Sequence, residues 1–271
     1  MSARLFRGTR EIAAPAPDDR GLAYGDGVFE TVRVHRGGIP WWNAHWERLS
    51  LGASRLGIAL PEPRQVHATA TGLFDDGGDG VLKLLLSRGS GGRGYAQDPA
   101  AEPAWIASRH PLPPMPAGGL SLHWCETRLA IQPALAGIKH CNRLEQVLAR
   151  AESERAGADE GLVLDMEGGV VSATAANLFV LRDGGWTTPP VDRCGVAGTC
   201  RAALLAPLRA NVAPLSAGEV ESADAVFLCN AVRGILPVAR LGTRSWPPHP
   251  SVAAARQVLA RLHPGFSLDD T

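Results

Sequence analysis

The chain has 271 residues, with 27 basic and 27 acidic side chains, 45% hydrophobic residues and 20% charged ones. That is the composition of a folded protein with room for one large domain or two ordinary ones, and it excludes a wholly disordered chain. A net charge of zero without any run of Lys or Arg leaves no electrostatic footprint for nucleic acid or an anionic lipid surface.

Residues 1–9 carry arginines but no apolar leader core, and no segment approaches the length that crosses a bilayer, so a cytoplasmic protein is expected. Residues 27–34 alternate apolar and polar side chains as a strand does, and Gly37-Gly38 suits a hairpin turn into a second strand at 39–42. A helix is expected over 44–56, with Trp46, Leu49, Leu51 and Leu56 among polar residues and Gly57 as its stop. Residues 81–86 form a short, strongly apolar strand. The loop Arg88-Gly-Ser-Gly-Gly-Arg-Gly-Tyr95 after it contains GxGxxG, yet residues 95–103 hold two prolines and no helical period, so a dinucleotide site fails. Taken without that template, the segment is either a solvated hairpin loop or a loop presenting Arg88, Arg93 and Tyr95 to carboxylates.

Four prolines and two glycines in 109–119 exclude a continuous helix or central strand there. The expected organisation is therefore an α/β domain over 1–108, a linker over 109–119 and a second α/β domain over 120–271. In the second part, strands are expected at 120–125, 160–165, 170–171, 177–181 and 225–229, and helices at 142–156, 198–210 and 251–262. Leu144, Val147, Leu148 and Ala151 mark the apolar side of the first helix, and Asn142 and Glu145 have the N-cap and N3 spacing that would start it. Connections such as 161 to 181 are too short for parallel crossovers, so strands of both senses are expected.

The five cysteines include no CxxC pair, and the eight histidines show no ligand spacing such as HExxH, which argues against a disulfide framework and a metal site. Only two of the basic residues are lysine, Lys83 and Lys139. Arginine can replace lysine at most surface positions, but a guanidinium never deprotonates and cannot form a Schiff base. Lys139 sits in Gly137-Ile-Lys-His-Cys-Asn-Arg143, between a strand region and a helix start. Lys83 is an ordinary strand lysine. Two further clusters are Gly21-Leu-Ala-Tyr-Gly-Asp-Gly-Val-Phe-Glu-Thr31 with Arg48 downstream, and Cys194-Gly-Val-Ala-Gly-Thr-Cys-Arg201, a plausible nest of amides for a phosphate.

In this order, over about 20–238, these segments resemble the class IV, fold-type IV family of pyridoxal 5'-phosphate (PLP) enzymes. That family includes branched-chain and D-amino acid aminotransferases and a lyase acting on 4-amino-4-deoxychorismate. The 88–95 loop and Lys139-His-Cys-Asn-Arg-Leu-Glu-Gln146 look most like the lyase, which releases pyruvate and 4-aminobenzoate. The resemblance implies a two-domain, mixed α/β subunit of the D-amino acid aminotransferase type, bound PLP, a small-molecule substrate and a homodimer. By matching positions it implies that Lys139 forms the Schiff base and moves protons, and that Arg48 holds the cofactor phosphate. Backbone donors at Thr199 and Cys200 share that task, with Asn230 and Ala231 on a second phosphate-side loop. Arg88, Arg93 and Tyr95 are candidates for the substrate carboxylates, with Arg233 behind them. The family usually has glutamate where Ser172 stands, against the pyridine nitrogen. A hydroxyl there supplies a hydrogen bond but no charge, which suits an elimination driven by aromatisation better than transamination. An aminotransferase and a non-catalytic PLP-binding protein are the alternatives.

Overall fold

The computed structural model describes residues 2–92, 94–116 and 118–267. It divides into two compact units. The first runs to Leu112 and also takes in Ile138–Asn142, and the second comprises Pro113–Gly137 and the chain from Arg143 onward.

The first unit contains β1 (Ser2–Arg7), β2 (Arg10–Ile12), α1 (Arg20–Tyr24), β3 (Gly27–Val34), α2 (Trp42–Leu56), α3 (Pro63–Gly72), β4 (Gly80–Ser87) and β5 (Ala104–His110). Its five strands form one antiparallel sheet in the order β2-β1-β5-β4-β3. Alternation along β3 and β4 sends Val28, Val32, Val34, Leu82, Leu84 and Leu86 to one face, where Leu49 and Ala53 of α2 and Val66 and Ala70 of α3 join the same core. Each fully buried Val or Leu of this kind contributes about 1.5–3 kcal/mol. Gly57 ends α2 in the left-handed conformation at φ 65°, as the sequence suggests. The strand expected at 39–42 does not form. A tight turn pairs His35 with Gly38, and the helix begins early at Trp42, whose ring stacks on Trp46 at 5.8 Å and meets His67 edge-on at 4.7 Å.

The second unit contains β6 (Leu120–Leu129), α4 (Leu144–Arg155), β7 (Glu160–Asp165), β8 (Val170–Ala173), β9 (Asn177–Arg182), β10 (Gly185–Thr188), α5 (Thr199–Leu205), β11 (Asn211–Val212), α6 (Ala217–Glu221), β12 (Ala225–Asn230), β13 (Gly234–Leu241), β14 (Arg244–Ser245) and α7 (Pro250–Leu262). The sheet order is β11-β10-β9-β12-β13-β6-β7-β8, with β14 on β13. Strands of both senses are present: β6 runs parallel to β7 and β13, while β7–β8, β9–β12 and β12–β13 are antiparallel. The core gathers Leu162, Leu178, Val180, Val226, Leu228 and Leu236. Helix α5 stops at Leu205 rather than Ala210, because Pro207 cannot donate to a helix interior and Arg209 takes φ 48°. No helix among the described residues is long and apolar enough to cross a membrane.

Two expectations about the second domain change. Segment 138–142 clusters with the first unit, so Lys139 does not belong to a C-terminal domain, and β5 carries the first unit through Arg109 and His110 before the proline-rich stretch begins. Asn142 does not cap α4 either. The cap position is Arg143, whose side chain makes no capping bond to the helix, the Asn142 amide donates to Gly25 O at 3.2 Å, and Glu145 accepts from Ala130 N at 2.9 Å.

Candidate active site

In the first unit, the site is organised by consecutive residues of β3. Glu30 has the same parity as Val28 and Val32, so its carboxylate enters the helix-covered core and is only 1% exposed. Helix α2 meets it with two side chains one turn apart. Arg48 donates from Nε to Oε1 at 2.7 Å and from Nη2 to Oε2 at 2.5 Å, and His45 Nδ1 lies 2.6 Å from Oε2. Burial pushes the Glu30 carboxyl up, but the Arg48 charge and the hydrogen bonds from Arg48 and His45 outweigh it and bring the pKa to about 2. The guanidinium of Arg48 is thereby fixed in one orientation. His45 Nε2 is buried and has no partner among the described residues.

Segment 138–142 runs along the outer edge of β3. Phe29 N–H donates to Lys139 O at 2.9 Å, Cys141 N–H donates to Gly27 O at 2.9 Å, and Val28 and His140 form a bridge. This register places Lys139 opposite Phe29 on the face away from the helices, with Nζ 4.2 Å from the ring centre. On the other face, Gly52 of α2 lets the helix approach: a Cβ there would lie 3.0 Å from Val28 Cγ1 and 3.6 Å from Ile138. Phe29 and Glu30 thus orient Lys139 and Arg48 in turn.

The loop after β4 departs from expectation. Arg88 is buried, and its guanidinium bonds Asp26 at 2.7 and 3.1 Å, Gly57 O at 2.6 Å and Leu56 O at 2.7 Å. Asp26 also takes Arg20 Nε at 2.9 Å. Burial pushes its carboxyl up, and the bonds from Arg88 and Arg20 reverse this to hold it below the usual range. Arg88 therefore ties the loop to the helix end instead of offering its fork to a ligand. Tyr95 is 86% exposed and meets Tyr24 edge-on at 5.6 Å. Arg93 lies outside the described residues.

In the second unit, the start of α5 is an uncapped helix end. Gly198 at the cap position has no side chain to satisfy the first-turn amides, and Thr199 Oγ1 is buried without a partner among the described residues. The approach is held by Asn177, the first residue of β9, whose Nδ2 donates to Val196 O at 2.9 Å; a Cβ on Gly198 would collide with its Oδ1. Such an end, with an orphaned hydroxyl beside it, fits a phosphate. The Cys200 thiol takes no part. It is buried against Cys229, and that hydrogen bond and burial raise its pKa well above normal, so only its amide is available. Asn230 is likewise structural in its side chain: Oδ1 accepts from Val232 N at 3.0 Å and Arg233 N at 2.8 Å, and Nδ2 donates to Ala175 O at 3.2 Å. It fixes the loop bearing Ala231 against the turn that follows β8, and Ser172 lies in that strand opposite Val163, 8% exposed.

The class IV amino-transferase profile matches residues 27–241. The chain belongs to that family. Among curated relatives, an aminodeoxychorismate lyase from Vibrio harveyi is 37% identical over 231 residues, 81% of this chain and 84% of that protein. The crystal structure of 4-amino-4-deoxychorismate lyase from Pseudomonas aeruginosa superposes with a TM-score of 0.88 at 41% identity, covering 95% of this chain and 98% of that one. A branched-chain aminotransferase from Thermoproteus uzoniensis shares the fold, with a TM-score of 0.87 at 19% identity over 98% and 96% of the two chains. The mixed α/β, fold-type IV architecture expected from the sequence is therefore present.

Glu30 and His45 are the residues that sequence reasoning missed. A signal was there: an acid in phase with three buried valines must bring a cationic partner into the core.

Proposed function

We propose that this protein is a PLP-dependent lyase that converts 4-amino-4-deoxychorismate to 4-aminobenzoate and pyruvate. The observation that carries the reading is the 37–41% identity to aminodeoxychorismate lyases over most of both chains. The side chains of each unit fit PLP: an amine at Lys139, a braced guanidinium at Arg48, and an uncapped helix end with the unpartnered Thr199 hydroxyl. PLP, when bound, supplies an electron sink for charge developing on the substrate.

In this reading Lys139 holds the cofactor through its amine. Arg48, Thr199 Oγ1 and the Thr199 and Cys200 amides bind the phosphate, and the Asn230 turn positions Ala231 beside it. Ser172 donates a hydrogen bond to the pyridine nitrogen and brings no charge. The substrate amine would displace Lys139 from the cofactor, and the freed Lys139 Nζ would then take the proton from the ring carbon that bears the substrate amine. The ring would become aromatic as its carbon–oxygen bond to the enolpyruvyl group breaks, the bonding pair leaving on the enolate oxygen, and the proton held at Lys139 Nζ would return to the enolate methylene carbon to give pyruvate. Tyr95 and Arg93 remain proposed carboxylate ligands. The protein acts as a homodimer, and the exposed apolar stripe of α4 supports a covering copy. Five unbridged cysteines are what a reducing, cytoplasmic setting maintains.

Pyruvate release from 4-amino-4-deoxychorismate, followed by coupled reduction to lactate, tests the reading. The wild-type protein should release pyruvate and Lys139→Ala should not. Amino transfer from an amino acid to 2-oxoglutarate without pyruvate release would replace the lyase with an aminotransferase.

A further inference from the structure

Helix α7 packs on β12 and β13 without covering them completely. Between the first half of that helix, strand β13 and the proline-rich stretch before β6 lies a cavity of about 320 Å³. That is within the range of small-molecule sites, about 300–1,000 Å³, at its lower end. Its described lining belongs wholly to the second unit and includes none of the residues assigned above to cofactor or substrate. The walls are stiff. Pro116, Pro237, Pro247 and Pro248 line it with Gly118 and Gly119, and none of these has side-chain rotamers to lose when a ligand is taken up. Trp246 is buried and held twice: its indole N–H donates to Ala223 O at 2.8 Å and its backbone N–H to Ala239 O at 2.8 Å. A cavity walled in this way is formed before any ligand arrives.

The polar side chains on the wall are donors. His249, Val252, Ala253 and Arg256 fall on one side of α7, and all four line the cavity. His249 Nδ1 accepts from Ser251 N–H at 3.2 Å, which places the proton of the neutral ring on Nε2. Arg256 is half-buried, yet its guanidinium has no hydrogen bond or ion pair among the described residues. Helix α7 contains no acid, and no acceptor side chain such as Asp, Glu, Ser or Asn is among the described lining residues. An unengaged planar fork at an apolar wall suits a carboxylate, which it can hold with two parallel bonds.

We propose that this cavity is a second ligand site, which binds a small aromatic monocarboxylate with its carboxylate on Arg256 and its ring between the prolines and Trp246. The flat faces of the proline rings and the indole favour a planar apolar body over a polar one. One cation sets the number of carboxylates at one, because a second would be left against apolar wall without a partner. The inference goes beyond the lyase reading and does not rest on it.

The test is calorimetry on the PLP-loaded protein with 2-naphthoate and its neutral counterpart 2-naphthamide as probes. The wild type should bind naphthoate and hold the amide about tenfold or more less tightly, the loss of one charge-assisted interaction. Arg256→Met should weaken naphthoate by the same factor and leave the amide as it was. Ala253→Trp, at an exposed helix position, should fill the cavity and abolish binding of both probes with the circular dichroism unchanged. The visible absorbance of the bound cofactor should stay constant as the cavity fills, since none of the residues assigned to the cofactor lines it. Naphthoate bound at wild-type strength by both variants overturns the proposal, as does a wild type that binds acid and amide equally or binds neither. Pyruvate release takes no part in these measurements, so failure of the cavity and failure of the lyase reading are told apart.

Discussion

A carboxylate buried among valines is costly unless its charge is met, and Glu30 is met twice, by the fork of Arg48 and by His45. Glu30→Gln keeps the shape and removes the charge. Breaking one side of such a buried pair costs about 3–5 kcal/mol, so the midpoint of urea unfolding should fall clearly. The more telling measurement concerns the cofactor. If Glu30 orients Arg48 toward a phosphate, Glu30→Gln should weaken PLP by about tenfold or more while pyridoxal, which lacks the phosphate, binds nearly as before. Equal loss of both ligands would make Glu30 merely structural. The pH dependence has a definite sign. The folded pKa of about 2 lies below the ordinary 4.5, so the stabilisation is complete above about pH 4.5 and is lost as pH falls toward 2. It amounts to about 3 kcal/mol, and Glu30→Gln should flatten that stretch of the stability profile.

Short elements place the remaining groups, and here the sequence was legible only in part. Strands β3, β4, β7, β9 and β12 follow directly from apolar period and turn residues, because both strand faces and the adjoining glycines are local properties. The edge pairing of segment 138–142 with β3 was not legible. It joins residues more than a hundred positions apart, and nothing local in Gly137-Ile-Lys139 specifies a partner strand. Arg88 failed for a related reason: its bonds go to Asp26, Leu56 and Gly57, so a loop that looks available for a ligand is tied down by distant acceptors. The nest before α5 was legible as a pattern, but the role of Asn177 in closing it was not. Gly198→Ala tests that arrangement. The new Cβ meets Asn177 Oδ1, which is held through its amide to Val196 O, so the turn must move. Such overpacking costs about 1–3 kcal/mol, and the shifted amides should retain PLP about tenfold less tightly on dialysis. Retention equal to wild type would mean that the α5 start does not hold the phosphate.

At the scale of the whole molecule, helix α4 presents a face that its own unit does not cover. The sequence pattern marks Leu144, Val147 and Leu148 as a core stripe, yet they are 77%, 59% and 59% exposed, and the side turned inward carries Ala149 and Ser153 instead. Periodicity announces that an apolar stripe needs a cover without saying which chain provides it. A second copy is the cover that the proposed homodimer supplies. Each leucine buried in that way would contribute about 1.5–3 kcal/mol, and a two-fold interface counts each position twice. Leu144→Glu with Leu148→Glu should therefore weaken association by at least about a hundredfold, since it places four carboxylates in an apolar contact. Light scattering at micromolar concentration should give twice the chain mass for the wild type and a single chain mass for the double variant. Far-ultraviolet circular dichroism should be unchanged, because both positions are exposed within their own chain. A double variant that remains dimeric would place the interface on another surface, and a monomeric wild type would remove the dimer from the proposed function.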